Sequence, residues 1–197
     1  MKSYTTILFI LAIVLSTVIV GCEEPTEEEG VKTVYLVRHA ETKKPKEDKK
    51  DIDRKLKRQG KEQAKKMGKQ LDKKDIVVQK IYSSTAKRAT STAEQIAKKL
   101  DLHKKNIVEQ EVLYKSTTPV YIKFIQQLPD SLDQVMIVGH NPSTIEAINY
   151  FQKDTIFADL PVGSIVAIKM KTTTWKNLGH KSGQFSFFMP TPVPDDL

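Results

Sequence analysis

Cysteine is nearly absent, with one residue, Cys22, in 197. That scarcity excludes an intramolecular disulfide and a cysteine-rich zinc site. Long apolar runs are also missing. The longest, Ile7 to Val20, is broken by Ser16 and Thr17 and falls short of the roughly 20 residues a comfortable transmembrane helix needs. The chain has no internal repeat and is too short for a two-domain enzyme with a large lid. What is present is a hydrophobic fraction of 39% and a charged fraction of 28%, enough for a core and against wholesale disorder. Lys and Arg number 32 against 24 Asp and Glu, for a formal charge of +8. That balance suits nucleic acid, anionic membranes or phosphorylated substrates without choosing among them.

The N-terminal segment reads as an address. Lys2 precedes the apolar run, which fits the h-region of a secretory signal. The run stops at Val18-Ile19-Val20-Gly21-Cys22, which resembles the lipobox of bacterial lipoprotein signals. The resemblance implies cleavage before Cys22, with a diacylglycerol on its thiol. Residues 1–21 are then signal peptide. Residues 22–30, rich in Glu, form an acidic tether after the lipidated cysteine. Residues 31–197 form the folded domain, lipid-anchored in the cell envelope on the extracytoplasmic side. The alternative is an uncleaved anchor helix with Cys22 incidental.

Beyond the tether, strands and helices alternate. Val31–Val37, Ile76–Ser83, Ile107–Leu113 and Val135–Val138 read as strands. Helical spacing runs through Leu56, Gly60, Ala64, Met67 and Leu71, and again through Ala89, Ala93, Ile96, Ala97 and Leu100. Thr118-Pro119 and Asn141-Pro142 read as caps of two further helices. Two strand-like runs, Ser164–Met170 and Gln184–Phe188, close the chain. The pattern predicts an α/β fold, a three-layer α/β/α sandwich with a mostly parallel central sheet. Ligands in such sheets bind at the carboxyl ends of strands.

Three of those ends carry chemistry. The first reads Val37-Arg38-His39-Ala40-Glu41-Thr42, the second leads through Ser84 and Thr85 to Arg88, and the fourth reads Gly139-His140-Asn141-Pro142. Arg54 lies between the first two. Arginine offers a planar fork of donors that matches phosphate oxygens. Imidazole with one free nitrogen is a nucleophile toward phosphorus. A helix starting at Asn141-Pro142 would add backbone N–H groups. Alone, each element is more often a turn or a solvated residue. Together, at three strand ends of one domain, they predict a phosphate pocket with a nucleophile in it.

The arrangement resembles the histidine phosphatase, or phosphoglycerate-mutase-like, superfamily, and within it the SixA-like branch. The supporting stretches are LVRHAET, with Ala40 where Gly is commonest, Asp53-Arg54-Lys55-Leu56 with Gly60 and Ala64, STAKRATSTA from Ser84 to Ala93, Leu113-Tyr114, and Val138 to Pro142. Leu160-Pro161, Trp175 and Phe188-Met189-Pro190 add to them. Lys55 and Thr85 stand where that branch has Pro, which bears on loop shape. The resemblance implies a phosphoglycerate-mutase-like fold. It implies His39 as the transiently phosphorylated nucleophile, Arg38, Arg54 and Arg88 as phosphate ligands, and His140 as a second imidazole stabilising the transferring group. It implies no metal and no cofactor. The general acid is assigned by position to Glu111, with Glu109 as rival. Three nearby guanidiniums are expected to keep His39 neutral.

The expected partner is a phosphorylated protein, glycolipid or small molecule. The branch's usual substrate, phosphohistidine in signalling proteins, is cytoplasmic, so an exported domain shares the reaction class and not that substrate. Arg38 to Arg88 and Arg88 to His140 are each about fifty residues apart, which leaves little chain for a cap and predicts an open pocket. The lysines of residues 43–80 read as a solubilising face, or as steering for anions. Basic residues are not interleaved with aromatics, which argues against nucleic acid. The rival reading is a non-catalytic phosphate-binding envelope lipoprotein. A mutase is a third.

Overall fold

Val31–Arg38 (β1) is β-branched and apolar, and all but its two end residues are buried. Such a run belongs in the middle of a sheet covered on both faces. The computed structural model, which describes residues 30–45, 47–48, 50–153 and 157–192, puts it there. The other strands are Lys80–Ser84 (β2), Ile107–Gln110 (β3), Gln134–Gly139 (β4), Ile165–Lys171 (β5) and Gln184–Met189 (β6). The helices are Arg58–Asp72 (α1), Lys87–Ala97 (α2), Thr118–Gln126 (α3) and Ser143–Phe151 (α4). The sheet order is β3-β2-β4-β1-β5-β6. The first four strands run parallel, and β5 and β6 run antiparallel to their neighbours.

Alternation along the central strands produces the three layers. Val34 and Leu36, with Val135 and Ile137, pack with Tyr121, Ile125, Ile148 and Phe151 of α3 and α4. Tyr35 and Val37, with Met136 and Val138, pack with Met67, Leu71, Ala89, Ala93 and Ile96 of α1 and α2. Trp175 closes the first layer, its indole N–H donating to the Leu132 carbonyl at 2.8 Å. No helix among the described residues is long and apolar enough to cross a membrane. The stretch read as a signal peptide, Cys22 and nearly all of the stretch read as a tether lie outside the described residues.

Element boundaries differ from the sequence reading in several places: α2 ends at Ala97, short of Leu100, and four more differences have a local reason each. Ile76–Gln79 is not strand. Asp75 turns the chain at φ 53, Ile76 N–H bonds back to Leu71 O at the end of α1, and Val77 is exposed. The third strand stops at Gln110, because Glu111–Leu113 curls into a 3-10 turn that buries Leu113. Leu56 precedes α1 and bridges to Thr42. The residue preceding α3 is Thr117, and the Thr118 hydroxyl instead donates to the Glu146 carboxylate of α4.

Gly60 ties the fold to the site. A Cβ there would overlap the carbonyl oxygen of Glu41, two residues after His39. Backbone cannot yield as a flexible side chain can, so Gly60→Ala is expected to cost about 1–3 kcal/mol. Urea denaturation would show it, and an unchanged midpoint would disprove the close approach.

Candidate active site

Register brings the chemistry together. β1 and β4 are adjacent and parallel, with Arg38 opposite Gly139, so His39 and His140 emerge side by side one residue later. The His39 N–H donates to the Gly139 carbonyl at 3.2 Å, and the two imidazole centroids are 5.1 Å apart. β2 flanks β4 on the other side, with Ser83 opposite Val138. Its end turns directly into α2, whose second residue is Arg88. The small buried residues Ala89, Thr92 and Ala93 of α2 let the helix sit close to the sheet. Thr92 Oγ1 donates to Arg88 O at 2.7 Å and accepts from Ala40 N–H at 3.1 Å. From the far side, Gly163, at φ +69, donates its N–H to the carbonyls of Arg38 and His39.

The hydrogen bonds fix the tautomer of His39. His39 Nδ1 lies 2.8 Å from the Ala40 carbonyl, which only accepts, so Nδ1 carries the proton. Nε2 is then unprotonated, and its lone pair accepts from Arg88 Nε–H at 3.3 Å. His140 Nε2 lies 2.8 Å from Ser84 Oγ. That hydroxyl accepts from Ala86 N–H at 3.3 Å and keeps its proton and a second lone pair, so it serves His140 Nε2 as either donor or acceptor. His140 Nδ1 is buried without a hydrogen-bond partner, as are Arg54 Nε, Thr85 Oγ1 and Asn141 Oδ1. Four polar atoms on the segments that converge here lack partners in a fold that satisfies most of its buried polar groups, the mark of a ligand-binding site.

The guanidiniums are held from behind. Arg88 donates through Nη1 to Asp51 O at 2.8 Å and through Nη2 to Asp51 Oδ2 at 2.9 Å. Arg54 pairs with Asp51 Oδ1 at 3.2 Å, and Tyr114 OH donates to Oδ2 at 3.3 Å. Arg38 Nη1 donates to Leu160 O at 2.6 Å and lies 3.6 Å from Asp159. The Asn141 amide also donates to Leu160 O and Asp159, so it does not cap α4. The N–H of Thr144 at the start of α4 is taken by His140 O.

Both imidazoles are neutral at pH 7. His39 is lowered to about 4, first by burial and then by the Arg88, Arg38 and Arg54 charges, against a raising contribution from the Ala40 carbonyl. His140 is lowered to about 3, first by burial and then by His39 and Arg88. The sequence reading credited the guanidiniums, but burial dominates. For Asp51, burial pulls upward and is outweighed by Arg88 and Arg54, so its carboxyl is held below the usual range and stays ionised.

These shifts set an acid sensitivity. Both pKa values are lower in the folded than in the unfolded protein, so below about pH 6.5 the unfolded chain binds more protons. Stability is therefore present above pH 6.5 and is lost as pH falls toward about 4 for His39 and about 3 for His140. Urea midpoints measured from pH 7.5 to 4 should fall, and fall less in a His39→Gln, His140→Gln protein. Equal falls would show that other groups carry the effect.

Arg38, His39, Arg54, Arg88 and His140 thus meet in one cluster. Glu111 does not join it by contact. It is exposed in the turn after β3, and among the described residues no hydrogen bond or ion pair links its carboxylate to the histidines or the arginines. Glu109 is likewise exposed on β3. The carboxylate that reaches the cluster is Asp51, which the sequence reading passed over, and Ser84 and Tyr114 accompany it. A D-x-x-R spacing from Asp51 to Arg54 was the available signal. Among the described residues no group of three His, Cys, Asp or Glu could hold a metal ion.

A neutral imidazole pair ringed by fixed guanidiniums, at the carboxyl ends of parallel strands, is built to hold an oxyanion against a nucleophile. The family model of the histidine phosphatase superfamily (branch 1) matches residues 34–113, the stretch that holds Arg38, His39, Arg54 and Arg88. That match supports a phosphatase. No curated protein sequence matches the chain significantly. Among solved structures, one provisionally called phosphohistidine phosphatase SixA from Nakamurella multipartitia superposes with a TM-score of 0.71 at 17% identity, over 83% of this chain and 98% of that one. A second provisional SixA, from Agrobacterium tumefaciens, gives 0.68 at 20% identity over 80% and 97%. The protein histidine phosphatase SixA complexed with tungstate gives 0.69 at 16% identity over 81% and 97%. At these identities the likeness establishes the fold, which is phosphoglycerate-mutase-like.

Proposed function

We propose that the protein is a metal-independent phosphatase that works through a phosphohistidine on His39. The observation that carries this is the pairing of a protonated, anchored Nδ1 with an unprotonated Nε2 whose lone pair accepts from Arg88 Nε–H, a donor that an incoming phosphoryl oxygen would take over. In the first displacement Nε2 bonds to phosphorus as the bond to the leaving oxygen or nitrogen breaks, and the leaving group takes the bond's electron pair. Arg38, Arg54 and Arg88 hold the phosphoryl oxygens, and His140 Nδ1–H donates to one of them. In the second, water attacks phosphorus, its proton is released, and inorganic phosphate departs with His39 neutral again. Positioning and charge neutralisation supply most of the rate.

Asp51, held ionised, is a poor acid. The site therefore favours leaving groups that need little protonation, such as a phosphoramidate nitrogen that is already protonated or an aryl oxygen. Glu111 is the carboxylate proposed to assist poorer leaving groups, from its place in the same turn as Tyr114. SixA neighbours in the fold support the reaction class, hydrolysis of a phosphorylated substrate, while the signal-like N-terminus supports an envelope location with Cys22 lipidated, apart from cytoplasmic phosphohistidine proteins.

Metal-free hydrolysis of p-nitrophenyl phosphate by the full chain in detergent, with labelling of the protein by substrate phosphate, tests the reaction. Turnover with an acid-labile phosphoenzyme is expected. Phosphate binding with neither turnover nor label on p-nitrophenyl phosphate and phosphoramidate would favour a binding protein instead. Loss of membrane partitioning in Cys22→Ser tests the anchor.

A further inference from the structure

The chain leaves β1 after Arg38 and returns to α1 through a loop closed at its neck. Thr42 and Leu56 bridge, and Lys43 N–H donates to Lys55 O at 3.0 Å. Within the loop lies a pocket of about 250 Å³ lined by Lys43, Lys44, Lys50 and Lys55. Arg54, Asp51 and Asp53 line it too, so the pocket and the catalytic cluster share two residues. The two aspartates are engaged elsewhere. Asp51 holds Arg88 and Arg54, and Asp53 pairs with Lys87 of α2 at 2.6 Å. Among the described residues, none of the four lysines is in an ion pair.

Four lysines and Arg54 against Asp51 and Asp53 leave the lining net positive, and an anion among the lysines relieves their mutual repulsion. The concave lining distinguishes them from lysines on a convex, merely solvated face. Its volume admits one phosphate and a few further atoms. A folded protein surface or a membrane would rest on the rim instead.

We infer that this lysine pocket is a second anion subsite, so that the preferred substrates are small molecules carrying a second phosphate beyond the one transferred to His39. This rests on the phosphatase reading for the identity of the first site. The remote phosphate binds among Lys43, Lys44, Lys50 and Lys55, and the spacer crosses Arg54.

The test compares fructose 1,6-bisphosphate with fructose 6-phosphate, probes that differ by one phosphate. Phosphate release by the full chain gives the ratio of their kcat/KM values. The ratio is expected to favour the bisphosphate by about tenfold, the worth of two or more partly exposed ion pairs. It should fall toward one in Lys44→Gln, Lys55→Gln. In Lys73→Gln, Lys74→Gln, at the far end of α1, it should persist. A ratio near one in the unaltered protein would overturn the proposal, as would an equal fall in both variants, which would mean net-charge steering. If only the sugars are refused, their alkyl leaving groups are the cause, and if p-nitrophenyl phosphate is refused as well, the catalytic reading fails. Calorimetry of the same two ligands then decides the subsite. Tighter bisphosphate binding lost only in Lys44→Gln, Lys55→Gln supports it, and equal binding overturns it.

Discussion

Replacing His39 with alanine is expected to abolish turnover of p-nitrophenyl phosphate, with kcat falling about 10⁴- to 10⁶-fold, as when a nucleophile is deleted from a catalytic unit. The phosphoenzyme should vanish with it, because no other side chain here presents an anchored imidazole with its lone pair toward the guanidiniums. His39 is 8% exposed, and its loss leaves the Ala40 carbonyl without its partner, at a cost of about 1–3 kcal/mol. A fold defect is separable from a chemical one. Arg38, Arg54, Arg88 and His140 remain, so a folded His39→Ala protein still binds inorganic phosphate, as calorimetry would show. Full activity in that protein would remove His39 from the mechanism. Lost phosphate binding would show that the effect was structural.

The parts of this site that could be read from sequence share one property: they sit where a periodic pattern ends. β1 and β4 are apolar runs that stop at Arg38-His39 and Gly139-His140, and parallel pairing then brings the two histidines together. Arg88 opens a helix whose alanines recur at helical spacing. Asp51 has no such context. It lies in a 3-10 turn between Lys50 and Arg54 that buries none of its residues, and its role exists only because the 43–55 loop folds back onto α2. Glu111 stands apart from the cluster for a different reason. It follows a strand, but that strand pairs with β2 only through Gln110, and the next residues turn away. Ile76–Gln79 looks like strand in composition. The end of α1 and the turn at Asp75 claim it, and tertiary context overrides β propensity there.

Arg88→Ala is the second large effect, and two causes add in it. Arg88 is 5% exposed and is the only guanidinium hydrogen-bonded to the His39 ring among the described residues. Deleting a donor fixed at the point where charge develops costs on the order of 10²- to 10³-fold in kcat. The deletion also takes Nη2 from the Asp51 carboxylate and Nη1 from the Asp51 backbone carbonyl. An ionised carboxylate then faces the incoming phosphate with only Arg54 and Tyr114 to hold it. One positive neighbour of His39 is gone and one negative group is less compensated, and both changes favour the imidazolium form. The acid limb of the kcat/KM profile, expected near pH 4 in the unaltered protein, should therefore move upward in Arg88→Ala. Arg88→Lys keeps the charge but not the fork that spans His39 and Asp51, so it should recover the acid limb more fully than the rate. Adding Asp51→Asn to Arg88→Ala removes the repelling carboxylate and should restore part of the lost activity, so the two substitutions are not additive. Strict additivity would mean that Asp51 does not act through Arg88, and an acid limb unmoved in Arg88→Ala would mean that burial alone sets the state of His39.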